Sequence, residues 1–335
     1  MDITPYKLDD SAFWANTDRG SDRLGRELVG EYQGILVDAP RRVPIDQRAT
    51  LPAAIYYLGR IRELAAVKLE QHGIITAMNV SENRLYAVPG AALRQETDII
   101  ERPPVDPAKL PAGDMSTVKA VELRQLLKLP WKPARYLYTV LLRDKVSNRA
   151  EVELCQSPTC YVDPEVVKYQ EAERARINPG PMFPRPGNPV PNFRKQPDSP
   201  AVPDKPGFNI AQTRLVDLQR DPHWLLKGAF RLNALPQETV KPGWMDPHYA
   251  LRTADPKPIA VVGVTLVITG ADDGSLYVYP LNLPAFGRAG AAVTGHFNMD
   301  VLQLSGAPRV RQTYFIYVFS GESMAGPLPT ALVQP

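Results

Sequence analysis

The tetrapeptide Asp221-Pro222-His223-Trp224 recurs as Asp246-Pro247-His248-Tyr249, and the two copies hold two of the four histidines in the chain. Two imidazoles and two carboxylates form a sufficient donor set for a tetrahedral divalent centre, so Asp221, His223, Asp246 and His248 define a metal-dependent hydrolase as one expectation. Such a centre requires His223 and His248 to converge on one ion, because ligands sit about 2 Å from the metal. A simpler account covers more of the sequence. Asp-Pro also occurs at 106–107, 163–164 and 255–256 without histidine, and aspartate ahead of a first-turn proline is a recurrent helix start. On this account both tetrapeptides open helices, and no metal or cofactor is expected.

Other arrangements fail on spacing or context. Gly321-Glu322-Ser323-Met324-Ala325-Gly326 has one residue too many for a nucleophile elbow, and Pro327 and Pro329 deny it the following helix. His296 and Asp300 lie four residues apart, about 13 Å along a strand, which is beyond hydrogen-bond reach. Asp272, Asp273 and Gly274 read as turn chemistry, without the D-x-D-x-D-G series of a calcium loop. No glycine-rich phosphate loop is present. Cys155 and Cys160, in CQSPTC, are the two cysteines, and in a reducing cytosol they are expected to stay unlinked.

Composition sets the frame that must position any site. The 39 basic and 36 acidic side chains leave a formal charge of +3, too weak a field to point to nucleic acid or anionic lipid. Proline reaches 35 of 335 residues, about twice the ordinary share of roughly 5%, which disfavours long helical bundles. The polar N-terminus lacks the basic start and apolar run of a secretion signal, and Pro258–Ala271 is too short to span a membrane. The expectation is a cytoplasmic protein that binds neither nucleic acid nor membrane.

The elements fall in three parts. Residues 1–175 read as a mixed α/β part with an amphipathic helix over 51–72 and a hairpin over 136–155. In the helix, Thr50 would cap, Pro52 would fall in the first turn and Gly73 would stop it. Residues 74–80 and 85–88 read as two short strands around a polar turn. Residues 176–207 carry ten prolines between 179 and 206 and read as an extended arm or linker, with Met182, Phe183, Val190 and Phe193 as its contact residues for a partner. Residues 208–335 are β-rich, with an Asp-Gly hairpin signal at 273–274. There Thr313–Phe319 is apolar on both faces, as a covered central strand requires.

The Tyr136–Leu154 hairpin, the long excursion after it and the β-rich end resemble in layout the C-terminal β-sandwich of hemocyanin-like proteins. That family's dicopper centre uses six histidines in H-x-x-x-H groups, and this chain has four and no such group; the resemblance implies a version without the copper domain. The resulting expectation is a mainly β protein with a few helices, an antiparallel β-sandwich with long proline-rich excursions. Its expected role is a non-catalytic accessory protein engaging a peptide or protein partner, a precursor peptide in a peptide-modifying pathway being one form, with open sheet edges as the means. A structural homo-oligomer is the remaining alternative.

Overall fold

A computed structural model describes residues 32–40, 42–46, 49–93, 106, 109–156, 198–220, 222–233 and 258–333. The chain divides into two compact units, one made of Met1–Val80, Arg84–Asp163 and Thr269–Leu276, the other of Ser81–Asn83, Pro164–Ile268 and Tyr277–Pro335. Both are mainly β.

The first unit contains β1 (Gly34–Asp38), β2 (Arg42–Pro44), β3 (Pro52–Arg60), the short helices α1 (Ile61–Ala66) and α2 (Leu69–His72), β4 (Gly73–Asn79), β5 (Arg84–Pro89), β6 (Asp114–Glu122), α3 (Leu123–Leu127), β7 (Ala134–Leu142), β8 (Lys145–Val146) and β9 (Ala150–Cys155). One sheet has the order β1-β3-β6; the other runs β2-β9-β7-β4-β5, with β8 beside β7. Ile35, Ile55 and Tyr57 from the first sheet share one core with Ile75, Tyr138, Val140 and Val152 from the second, the arrangement of a sandwich. The β7–β9 pairing sets Tyr136 opposite Val152, and β4 pairs with β5 around the polar turn.

The helix expected over 51–72 does not form. Pro52–Arg60 is instead the central strand of the three-stranded sheet, and only Ile61–Ala66 and Leu69–His72 are helical. Its burial gives the reason: residues 53–59 are all buried, where a surface helix would leave one side wet. A continuous apolar run fits a helical wheel and a two-sided strand equally well, and Ile55, Tyr56 and Tyr57 favour the strand while Gly59 weakens the helix. On the second face of this sheet Leu36, Ala54, Tyr56 and Leu58 form their own buried cluster.

The second unit contains β10 (Gly207–Gln212), β11 (Leu215–Asp217), β12 (Leu225–Asn233), β13 (Ala260–Gly270), β14 (Leu276–Ala285), β15 (Gly287–Ala289), β16 (Ala292–Asp300), β17 (Thr313–Ser320) and β18 (Ser323–Val333). Its sheets run β10-β12-β16-β15 and β11-β18-β17-β13-β14, and Phe230, Phe297, Leu266, Tyr314 and Ile316 fill the core between them. β17 lies between β18 and β13, and residues 314–320 are buried on both faces. Within the four-stranded sheet Gly228 faces Phe297 and Phe230 faces Gly295. Each ring lies over the opposing glycine so closely that a Cβ would come within 2.2 Å of Phe297 and 2.5 Å of Phe230. The rings therefore cover backbone that has no side chain of its own.

Two further expectations are corrected. Pro222, His223 and Trp224 open no helix but lead straight into β12, because the Trp224 amide donates to Asp300 Oδ1 at 3.0 Å and its carbonyl accepts from Val301 at 2.8 Å. Cys155 is disulfide-bonded. It ends β9 where the chain leaves the strand, and closing a very short loop there costs little chain entropy; the second cysteine, Cys160, lies outside the described residues.

Candidate partner-binding edge

Of the residues singled out for chemistry, Asp221, Asp246 and His248 lie outside the described residues, as do Met182, Phe183, Val190 and Phe193. His223 is described. Its Nδ1 lies 2.8 Å from Asp300 Oδ2, while Asp300 Oδ1 accepts from the amides of Trp224 at 3.0 Å and Leu302 at 3.1 Å. The carboxylate thus caps the turn Val301–Gln303 and fixes the imidazole, which is largely exposed. Among the described residues no group of three or more His, Cys, Asp or Glu is placed to hold a metal ion. Ser323 starts β18 directly after a hairpin turn from Ser320, so no helix follows it. Asp273 Oδ1 accepts from the Ser275 amide at 2.9 Å, and Gly274 takes a φ of +64°, as turn residues do.

His72, a buried imidazole, is 9% exposed. Burial, then the charge of Arg143, holds its pKa below the ordinary 6.5, against the opposing pull of Asp272, a bond to the Ala271 backbone and Asp273. The Gly274 turn packs on the Gln71 carbonyl, where a Cβ would meet the oxygen at 1.9 Å, and Arg143 Nε donates to Ala271 O at 3.0 Å.

The sheet edges offer a different kind of chemistry, since a strand with one unpaired side can accept an extended chain. Most described edges are closed or brief. β2, β11 and β15 have three residues each, and β14 carries Pro280 and Pro284, which remove donors. Asn209 Nδ2, on β10, donates to Ala201 O at 2.8 Å. On β1, Asn148 Oδ1 accepts from Val37 N at 2.8 Å and Asn148 Nδ2 donates to Val37 O at 2.9 Å. A side-chain amide there satisfies both outward main-chain groups of one residue, as a neighbouring strand would. β5 has six residues and ends on Pro89.

β6 differs. It spans nine residues without proline and forms the outer strand of its sheet. Two flanking bonds set the phase of its ladder with β3: Ile61 N–H donates to Gly113 O at 3.0 Å and Leu123 N–H to Leu51 O at 2.8 Å. In the register Pro52↔Glu122 to Arg60↔Asp114, alternate residues bond inward. The odd-numbered residues of β6 therefore pair with β3, and the main chains of Ser116, Val118 and Ala120 face away; among the described strands none pairs with them. The end of the strand is locked by Glu122, whose carboxylate accepts from Leu51 N at 2.7 Å, Arg124 N at 3.1 Å and Gln125 N at 2.8 Å.

Beside this edge lies a cavity of about 160 Å³ floored by Ile55, Tyr57, Leu64 and Leu69 and bordered by Thr117 and Lys119. Tyr57 is buried, and desolvation, then Glu63 and Asp144, raises its phenol pKa; it is a neutral wall. Lys119 Nζ lies 3.7 Å from Glu70 Oε1 across the cavity, and Lys68 also lines it. Sequence reasoning missed this site because its parts come from β3, α1, α2 and β6, and the first three sit in the stretch that reads as one helix.

No family model and no curated protein matches the chain. Solved structures found by shape include the chicken interferon gamma receptor alpha chain, at 7% identity and a TM-score of 0.18, over 88% of this chain and 95% of that one. A bacterial adhesin from Mobiluncus mulieris matches at 8% identity and a TM-score of 0.14, over 85% and 79%. The CupB6 tip adhesin from Pseudomonas aeruginosa matches at 12% and 0.12, over 90% and 96%. Likenesses this slight carry no argument. Among the described residues no helix is long and apolar enough to cross a membrane.

Proposed function

We propose that the chain is a non-catalytic binding protein that takes up an extended peptide or protein segment along β6, a precursor peptide in a modifying pathway being one such partner. The observation that supports this reading is the nine-residue, proline-free edge with the main chains of Ser116, Val118 and Ala120 turned outward beside a cavity. Main-chain hydrogen bonds would supply affinity and the cavity selectivity, the division of labour in strand addition. The test is selection of binders from a random peptide display library on the full chain, followed by calorimetry with the Ala120→Pro variant. The reading predicts binders that lose roughly tenfold or more in affinity on this change; an absence of binders, or binders indifferent to it, ends it.

A second reading, a metal-dependent hydrolase at the Asp-Pro-His segments, is favoured by one observation: Asp300 orients His223 through Nδ1 at 2.8 Å, as a carboxylate behind a ligating or basic imidazole does. It predicts a stoichiometric metal in elemental analysis of the purified chain that is lost in His223→Ala. Metal-free protein disposes of it.

A further inference from the structure

We infer that the segment taken up along β6 is anchored by one apolar side chain, of leucine to phenylalanine size, seated in the cavity beside that strand; this rests on the edge-binding reading above. Ile55, Tyr57, Leu64, Val67 and Leu69 line the cavity with aliphatic and aromatic groups, and Leu64 and Leu69 are fixed in the core. Its volume of about 160 Å³ is close to that of an apolar cavity of about 150 Å³ that stays dry and admits a benzene ring. A single branched or aromatic side chain fills such a space, and a methyl group leaves most of it empty.

The ladder brings such a side chain to the cavity. Val118 also lines it, although its side chain packs on the cluster at the other face of the sheet, so the cavity reaches the outward main chain of β6. Successive side chains of a strand alternate between faces, and Thr117 and Lys119, opposite Tyr57 and Ile55 respectively, lie on the cavity side. A segment paired along Val118 therefore turns the side chains before and after its central residue to that side. Met115, 39% exposed, continues the same face two residues before Thr117 and offers an adaptable apolar contact. A second copy of the chain is a poorer occupant. Antiparallel pairing of β6 with itself about Val118 would bring only threonine and lysine to the cavity, and would set Asp114 against Glu122 at both ends, like charges opposed.

The test titrates the full chain with blocked polythreonine peptides that carry leucine, phenylalanine, alanine or asparagine at one central position, a design in which the peptide can slide to seat that residue. The expected result is leucine and phenylalanine preferred over alanine by about tenfold or more, and asparagine, which has the shape of leucine but an amide to desolvate, no tighter than alanine. The preference should vanish in Val67→Phe, which fills the cavity, and every affinity should fall in Ala120→Pro. Equal binding of the four peptides, or a preference untouched by Val67→Phe, overturns the inference and leaves the edge reading standing so long as binding remains sensitive to Ala120→Pro. The peptide series on the parent chain decides the matter even if Val67→Phe fails to fold. Binding of none of the peptides, or binding insensitive to Ala120→Pro, overturns both. Dimerisation of the chain that is lost in Ala120→Pro makes a second copy the occupant and likewise overturns the inference.

Discussion

His223 takes its orientation from Asp300, 77 positions along the chain, a distance at which no local pattern could pair them. The sequence places His223 in a candidate set with Asp221 and rules out His296 as a partner of Asp300 on spacing; that Asp300 instead meets His223 is not legible there, because sheet register decides which side chains meet. The same holds for the glycines of the four-stranded sheet. Phe297 and Phe230 are almost fully buried over Gly228 and Gly295. Phe297→Ala removes a buried ring and uncovers backbone, so it should cost about 3 kcal/mol or more in urea unfolding, and Gly228→Val should destabilise as well by overpacking against the ring. His72 gives a pH dependence. Its folded pKa lies below the unfolded 6.5, so the unfolded chain binds the proton more tightly. The imidazole's contribution to stability is full above pH 6.5 and is lost as pH falls from there through the depressed folded value. Thermal midpoints measured between pH 7.5 and 5 should fall toward the acid end, and His72→Gln should flatten that slope.

Hairpins were the legible elements. The polar turn between β4 and β5, the β7–β9 pair and the Asp-Gly turn before β14 all announce themselves through turn residues between apolar runs, and β17 through apolar side chains on both faces. β3 was not legible, since seven consecutive buried residues carry no period that separates strand from helix. β6 has the mixed sequence DMSTVKAVE and mostly partial exposure, and nothing local identifies an edge strand whose identity lies in what fails to pair with it. Its ladder phase yields a paired prediction on stability. Ala120→Pro removes a donor that points away from β3 and should leave the thermal midpoint nearly unchanged, whereas Val121→Pro breaks a ladder bond and should cost about 1–3 kcal/mol. If both changes destabilise equally, the assigned phase is wrong. On the opposite edge, Asn148→Ala leaves Val37 without either side-chain bond and should cost about 1–3 kcal/mol in the same measurement.

At the scale of the whole chain, each compact unit has its own core but neither is one continuous stretch: the first includes Thr269–Leu276 and the second Ser81–Asn83. Asn83 shows what the short segment contributes to the second unit, donating to Gly263 O at 2.6 Å and accepting from Gly321 N at 2.8 Å. The division read from composition, with its boundary in the proline-rich stretch, could not anticipate these exchanged turns, because a turn's sequence says how the chain reverses and not which core it joins. A fragment of residues 1–163 lacks the turn that supplies the acceptor of Arg143, Ala271 O; its urea midpoint should lie below that of the intact chain by an amount matching about 1.5–3 kcal/mol. The guarded edge at β1 has a meaning of another kind. In the language of polymer chemistry, a sheet with one reactive end is monofunctional: it can be extended once and then terminates growth. Among the described residues, the Asn148 amide on Val37 is what keeps the three-stranded sheet in that class. Without it the sheet becomes a bifunctional monomer, free to add strands at both ends, and the expected product of Asn148→Ala on long incubation is fibrous assembly, read by light scattering, where the parent chain remains soluble.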